Sequence, residues 1–129
     1  MANAPTEIKL HRKSRTLEIG FSDQQRYVLS FEFLRVHSPS AEVRGHGPGE
    51  ETLQTGKRGV NITGLEPTGN YAIKISFDDG HDSGIYSWEY LRHLGENEAD
   101  LWETYLAKLH AGGETRDPDT AVVKLMDPD

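Results

Sequence analysis

The sequence predicts an α+β domain: an antiparallel β-sheet of about six strands built from hairpins, with C-terminal helices packed on it. Two observations carry this. Up to Tyr86 the apolar residues alternate with polar ones and are broken by clusters of Gly, Asn, Asp and Ser, the pattern of short strands and turns. After Ser87 the apolar spacing lengthens to that of a helix. The chain of 129 residues has the size of one domain, and a domain of this size buries about two-thirds of its unfolded-chain surface. The predicted working unit is residues 6–112, with a flexible stretch at 1–5 and an acidic, flexible tail at 113–129.

The elements follow in order. Glu7–His11 and Thr16–Phe21 alternate around the polar stretch Arg12–Arg15 and predict a hairpin, which Tyr27–Leu29 extends after the turn at Ser22–Gln25. Ser30 is placed to cap one helical turn at Phe31–Arg35. Pro39 forces its predecessor into an extended conformation, so a long loop is expected from Ser38 to Gly49. Val60–Thr63 and Tyr71–Phe77 predict a second hairpin around Gly64–Asn70, with Tyr71, Ile73, Ile75 and Phe77 on the core face and Gly84–Tyr86 returning alongside. Ser87 caps a helix at Trp88–Leu94, with Gly95 as its stop. Asn97 and Asp100 have the spacing of a capping box for a last helix, whose stripe is Leu101, Trp102, Tyr105, Leu106 and Leu109 and which Gly112-Gly113 ends.

Composition narrows the function classes. Fourteen Lys and Arg against twenty-one Asp and Glu give a net charge of −7, which disfavours nucleic acid and anionic membranes as partners. There is no cysteine, so disulfides, thiol nucleophiles and thiolate metal sites are excluded, and any metal would need His, Asp and Glu. The N-terminus has no signal-peptide pattern and no apolar run has the length of a membrane span, so a cytoplasmic protein is expected.

The stretch with the most chemistry is Phe77–Trp88, where an apolar strand meets Asp78-Asp79-Gly80-His81-Asp82-Ser83. A neutral imidazole beside carboxylates is a plausible divalent-metal set, although tight turns use the same residues. The spacing fails as an EF-hand loop, because Gly80 removes the third ligand. Gly45–Gly49 and Thr55–Gly59 combine glycines with cations as phosphate loops do, but Gly49 stands seven positions before Gly56 and Arg58 takes the hydroxyl position of a Walker motif. Glu42, Arg44 and His46 alternate and, in an extended stretch, would project to one side as a polar group that binds a partner or locks the loop. No Gly-x-Ser-x-Gly elbow and no complete catalytic constellation is present.

Leu34–Gly47, followed by Gly69-Asn70-Tyr71-Ala72 and Phe77–Trp88, resembles the gamma-butyrobetaine hydroxylase N-terminal-like domain in its free-standing bacterial form, over residues 6–95. In the hydroxylases this domain precedes an iron- and 2-oxoglutarate-dependent catalytic domain and holds a zinc through three cysteines and one histidine. On this chain the resemblance puts those ligands at Ser38, Ser40, Val43 and His81, so one of four is retained and a zinc is expected only if His37 or His46 substitutes. The oxygenase domain has no counterpart here, so no catalytic residue is implied. The same domain type resembles the C-terminal part of Mrp-type P-loop ATPases that carry or scaffold iron–sulfur clusters, which implies a protein partner in cofactor assembly. The expectation is therefore a non-enzymatic binding module with no resident cofactor, using Arg35, Ser38, Ser40, Glu42, Arg44, His46, Asp79 and His81, with no nucleic-acid or membrane partner. Two alternatives stand beside it. One is zinc or iron binding at His81 with Asp79, Asp82 and His46; the other is homodimerisation through an exposed strand edge.

Overall fold

The computed structural model describes residues 4–45, 47 and 49–118. Among these residues the six expected strands form, but as two three-stranded antiparallel sheets and not as one. The first runs β1 (Pro5–His11), β2 (Thr16–Phe21), β3 (Arg26–Ser30); the second runs β4 (Ile62–Thr68), β5 (Ala72–Phe77), β6 (Gly84–Ser87). The division has a local cause. Ser30, the last residue of β3, turns its hydroxyl onto the Phe33 N–H at 3.0 Å and starts helix α1 (Phe31–Val36), so the chain leaves the first sheet there and returns to a strand only at Ile62.

One apolar core joins the two sheets. Leu17, Ile19 and Leu29 from the first pack with Ile62, Ile75 and Tyr86 from the second, together with Phe31 and Leu34 of α1 and Leu91 and Leu94 of α3 (Trp88–Glu96). Fully burying side chains of this size contributes about 1.5–3 kcal/mol each, which makes this cluster the dominant favourable term. Polar bonds reinforce it at one end, where Arg12 donates to the Ile62 carbonyl at 3.0 Å and the Phe31 N–H donates to the Arg15 carbonyl at 3.0 Å.

Several boundaries differ from expectation. The residues Gly64–Pro67, read as a turn, continue β4, because an edge strand tolerates Pro67 without its N–H; the turn shrinks to Gly69–Tyr71, with Gly69 at φ 56°. Tyr71 consequently lies in the turn and is 55% exposed, while Ile73, Ile75 and Phe77 are buried as predicted and Ala72 is buried as well. The loop after Ser38 contains a short helix, α2 (Ala41–Arg44). Asn97 makes no capping bond to α4 (Glu98–Ala111) and donates instead to the His93 carbonyl at 2.9 Å. On α4, Tyr105 and Leu109 are buried but Leu106 is exposed.

The start of the acidic tail lies against the domain. Thr115 and Arg116 accept backbone bonds from Gly56 and Arg58, each at 3.0 Å, and Arg116 grips the buried Glu32 carboxylate with two bonds of 2.8 and 2.7 Å. The amides that a phosphate loop would have offered at Gly56 and Arg58 are thereby occupied. Among the described residues no helix is long and apolar enough to cross a membrane.

Gly95, expected to stop α3, lies inside it because of packing. A Cβ built there would stand 2.4 Å from Cγ of Tyr27, so the glycine lets the helix press on β3. Gly95→Ala should gain about 1 kcal/mol of helix propensity and lose about 1–3 kcal/mol to overpacking, a net destabilisation in urea unfolding. A more stable variant would refute the close approach.

Candidate functional site

The segment from Ser38 to Gly45 folds into a hook. Ser40 is extended (φ −63°, ψ 146°) and accepts the Glu42 N–H at 3.2 Å to begin α2, and Gly45 at φ 72° ends it. Thr52 fastens the following chain to the hook by donating its N–H to the Val43 carbonyl at 2.8 Å.

The β5–β6 turn delivers His81 beneath this hook. Gly80 at φ 89° permits the bend, the Phe77 N–H donates to the His81 carbonyl at 2.8 Å, and the imidazole is buried, 5% exposed. Its Nε2 is 2.8 Å from the Ser38 hydroxyl and its Nδ1 is 3.1 Å from a Glu42 carboxylate oxygen. One proton assignment satisfies every partner. Ser38 Oγ accepts the Ser40 N–H at 3.2 Å and gives its own proton to Nε2, and Nδ1–H donates to Glu42. The Ser40 and Ser83 hydroxyls meet at 2.7 Å and close the same seam.

Burial pushes the His81 imidazole below its ordinary value and the Arg35 charge adds to this; the Glu42 and Asp79 carboxylates pull the other way without cancelling it. The ring is therefore neutral at pH 7. Arg35 is itself buried, donating to Asp79 at 2.8 Å and to Gln54 at 2.9 Å. Burial opposes the Asp79 charge, but the Lys57 ammonium at 2.6 Å, the His81 N–H and Arg35 outweigh it and hold the pKa at about 2.

The structure thus brings Arg35, Ser38, Ser40, Glu42, Asp79 and His81 together around one seam. It separates others. The expected alternation of Glu42 and Arg44 fails because α2 is helical, where positions two apart point about 200° apart. Glu42 turns to His81, whereas Arg44 lies over the Tyr90 ring, 5.7 Å from its centroid. His46 falls outside the described residues. The acidic turn disperses as well: Asp78 binds Asn61, Asp79 binds Arg35 and Lys57, and Asp82 is exposed. Sequence reading missed Gln54, Lys57, Ser83 and Tyr90, since their partners lie far along the chain and no local spacing marks them.

Glu42, His81 and Ser38 stand in the order of a nucleophile relay, but the Ser38 hydroxyl is buried in the seam between the Ser40 N–H and His81. Ser38 is 1% exposed and a Cβ on Gly84 would lie 2.7 Å from its Oγ. Nor do the residues fit the zinc implied by resemblance. Two hydroxyls and the apolar Val43 replace three thiolates, and both nitrogens of the one remaining imidazole already have hydrogen-bond partners. Among the described residues no group of three or more His, Cys, Asp or Glu converges as a metal site.

Comparison with known proteins agrees with this architecture. The family described as gamma-butyrobetaine hydroxylase-like, N-terminal, matches residues 8–92, and the chain belongs to that family. Two solution structures determined by NMR superpose with TM-scores of 0.80 and 0.78 at 51% and 54% identity, covering 98% and 90% of this chain and 100% and 86% of theirs. A crystal structure of a DUF971-family protein of unknown function from Acidithiobacillus ferrooxidans gives a TM-score of 0.61 at 38% identity, covering 71% of this chain and 92% of that one. A search of curated proteins finds no match.

Two outcomes are expected at the seam. His81 and His37 are both pushed down by burial from 6.5, so the unfolded chain takes up their protons first. Their contribution is complete above that pH and declines as pH falls below it; Asp79 adds a second loss between 3.8 and about 2. Melting temperature against pH should show both steps, the first shallower in His81→Gln, and equal slopes in the two proteins would contradict a buried neutral imidazole. In the Ser38→Cys/Ser40→Cys/Val43→Cys variant, thiolates at the seam should restore a Cys3His set. Elemental analysis should find about one zinc per chain, bound with a rise in melting temperature, and its absence would show that these positions do not converge on His81.

Proposed function

We propose that the domain is a non-enzymatic protein-binding module whose recognition surface is the hook and the helices facing it. One observation supports this above the others: the reactive-looking groups Ser38, His81, Arg35 and Asp79 are all spent on one another, and what they hold rigid is an exposed turn of helix carrying Glu42 and Arg44. A loop fixed by buried hydrogen bonds binds without a large ordering cost, which is a property of recognition surfaces. The resemblance to the C-terminal part of Mrp-type ATPases supports a partner in iron–sulfur cluster or metalloenzyme assembly.

Affinity capture with wild type and with Arg44→Glu tests the reading, because Arg44 is exposed and its replacement leaves the seam intact. A partner should be recovered on wild type, depleted on the variant, and, once purified, bind the variant about tenfold or more weakly. The same proteins at the same levels on both would exclude the hook as the binding surface.

A further inference from the structure

A cleft of about 540 Å³, open along one side, runs between the hook, the segment Glu51–Gln54 and the helices α3 and α4. Val36, Val43, Leu53, Leu101 and Tyr105 give it an apolar floor. Its charges are one-sided. Arg44 and Lys108 line it against a single carboxylate, Glu51, beside the imidazoles of His37 and His93, in a chain whose net charge is −7. Among the described residues Arg44 and Lys108 form no ion pair, like Arg12, Lys13 and Arg15 and unlike the other eight Lys and Arg.

The hydrogen-bonding groups are complementary to a peptide. His37 donates Nδ1–H to the Phe33 carbonyl at 3.0 Å, so its remaining ring nitrogen is an acceptor. The Tyr90 and Tyr105 hydroxyls donate to the carbonyls of His37 and Gln54, at 2.6 and 2.8 Å; Tyr105 keeps its lone pairs, and Tyr90 lies beside Arg44. A ligand that suits this wall brings N–H donors, carboxylates and aliphatic side chains together. We infer that the cleft between the hook and α4 binds an acidic, leucine-type peptide segment of the protein partner, its carboxylates on Arg44 and Lys108 and its aliphatic side chains on Val43, Leu53 and Tyr105. The inference rests on the binding-module reading and specifies the chemistry of the partner.

Amide chemical shifts of the 15N-labelled full chain provide the test, using acetyl-Leu-Glu-Glu-Leu-Glu-amide, the same peptide with Gln for Glu, the same with Lys for Glu, and hexanoate. The acidic peptide should move the amides of Val43, Thr52–Gln54 and Lys108, bind about fivefold or more tightly than the Gln peptide, and weaken with salt. Arg44→Gln/Lys108→Gln should remove that preference while leaving the rest of the spectrum unchanged. Equal binding of the Gln or Lys peptide, shifts confined to another surface, hexanoate binding as tightly as the peptide, or no shift at millimolar peptide would each overturn it. Loss of captured partner on Arg44→Glu together with indifference to peptide charge would remove this inference and leave the binding-module reading standing.

Discussion

The buried bond between Ser38 and His81 is the constraint on which the site depends. The two sheets share no strand pairing, and the segment between them must be held by other means. Four side chains from the second half hold it: His81 on Ser38, Tyr86 on the Leu34 carbonyl at 2.6 Å, Tyr90 on the His37 carbonyl at 2.6 Å, and Asp79 on Arg35. The first two of these bonds are buried and the last two are partly buried. Leaving a buried partner unpaired costs about 1–3 kcal/mol, a large part of the stability of a small domain. The imidazole must also stay neutral and in one tautomer, because only then does it accept from Ser38 and donate to Glu42 at the same time.

This arrangement separates the roles of the polar residues. Arg35 and Asp79, expected among the binding residues, pair with each other and bond further to Gln54 and Lys57. Arg44 and Lys108 are scarcely distinguished in the sequence, yet they are the cations that face the cleft. The distinction comes from helix geometry: one hundred degrees per residue along α2 sends Glu42 to the seam and Arg44 to the cleft.

Much of the fold was legible from local chemistry. The Ser30 and Ser87 caps, the hairpin around the acidic turn and the buried run Ile73, Ile75, Phe77 all follow from period and capping. What escaped sequence reading is what distant packing decides. Gly95 has the position of a helix stop, and only Tyr27, sixty-eight residues earlier, makes it an interior contact. Ser40 was legible as part of a loop but not as a cap, because α2 is too short to leave a periodic pattern. At the site, the meeting of positions 38, 40 and 81 was implied by resemblance to a zinc-bearing family, while the replacement of coordination by a Ser–His–Glu chain of hydrogen bonds was not.

That replacement changes what the hook's shape responds to. A joint made of thiolates opens when it is oxidised or when chelators compete for its metal. A joint of two hydroxyls, an imidazole and a carboxylate has no sulfur to oxidise at positions 38, 40 or 43 and takes its strength from protons already in place. The hook should therefore keep the same shape whether or not its surroundings oxidise thiols or supply zinc.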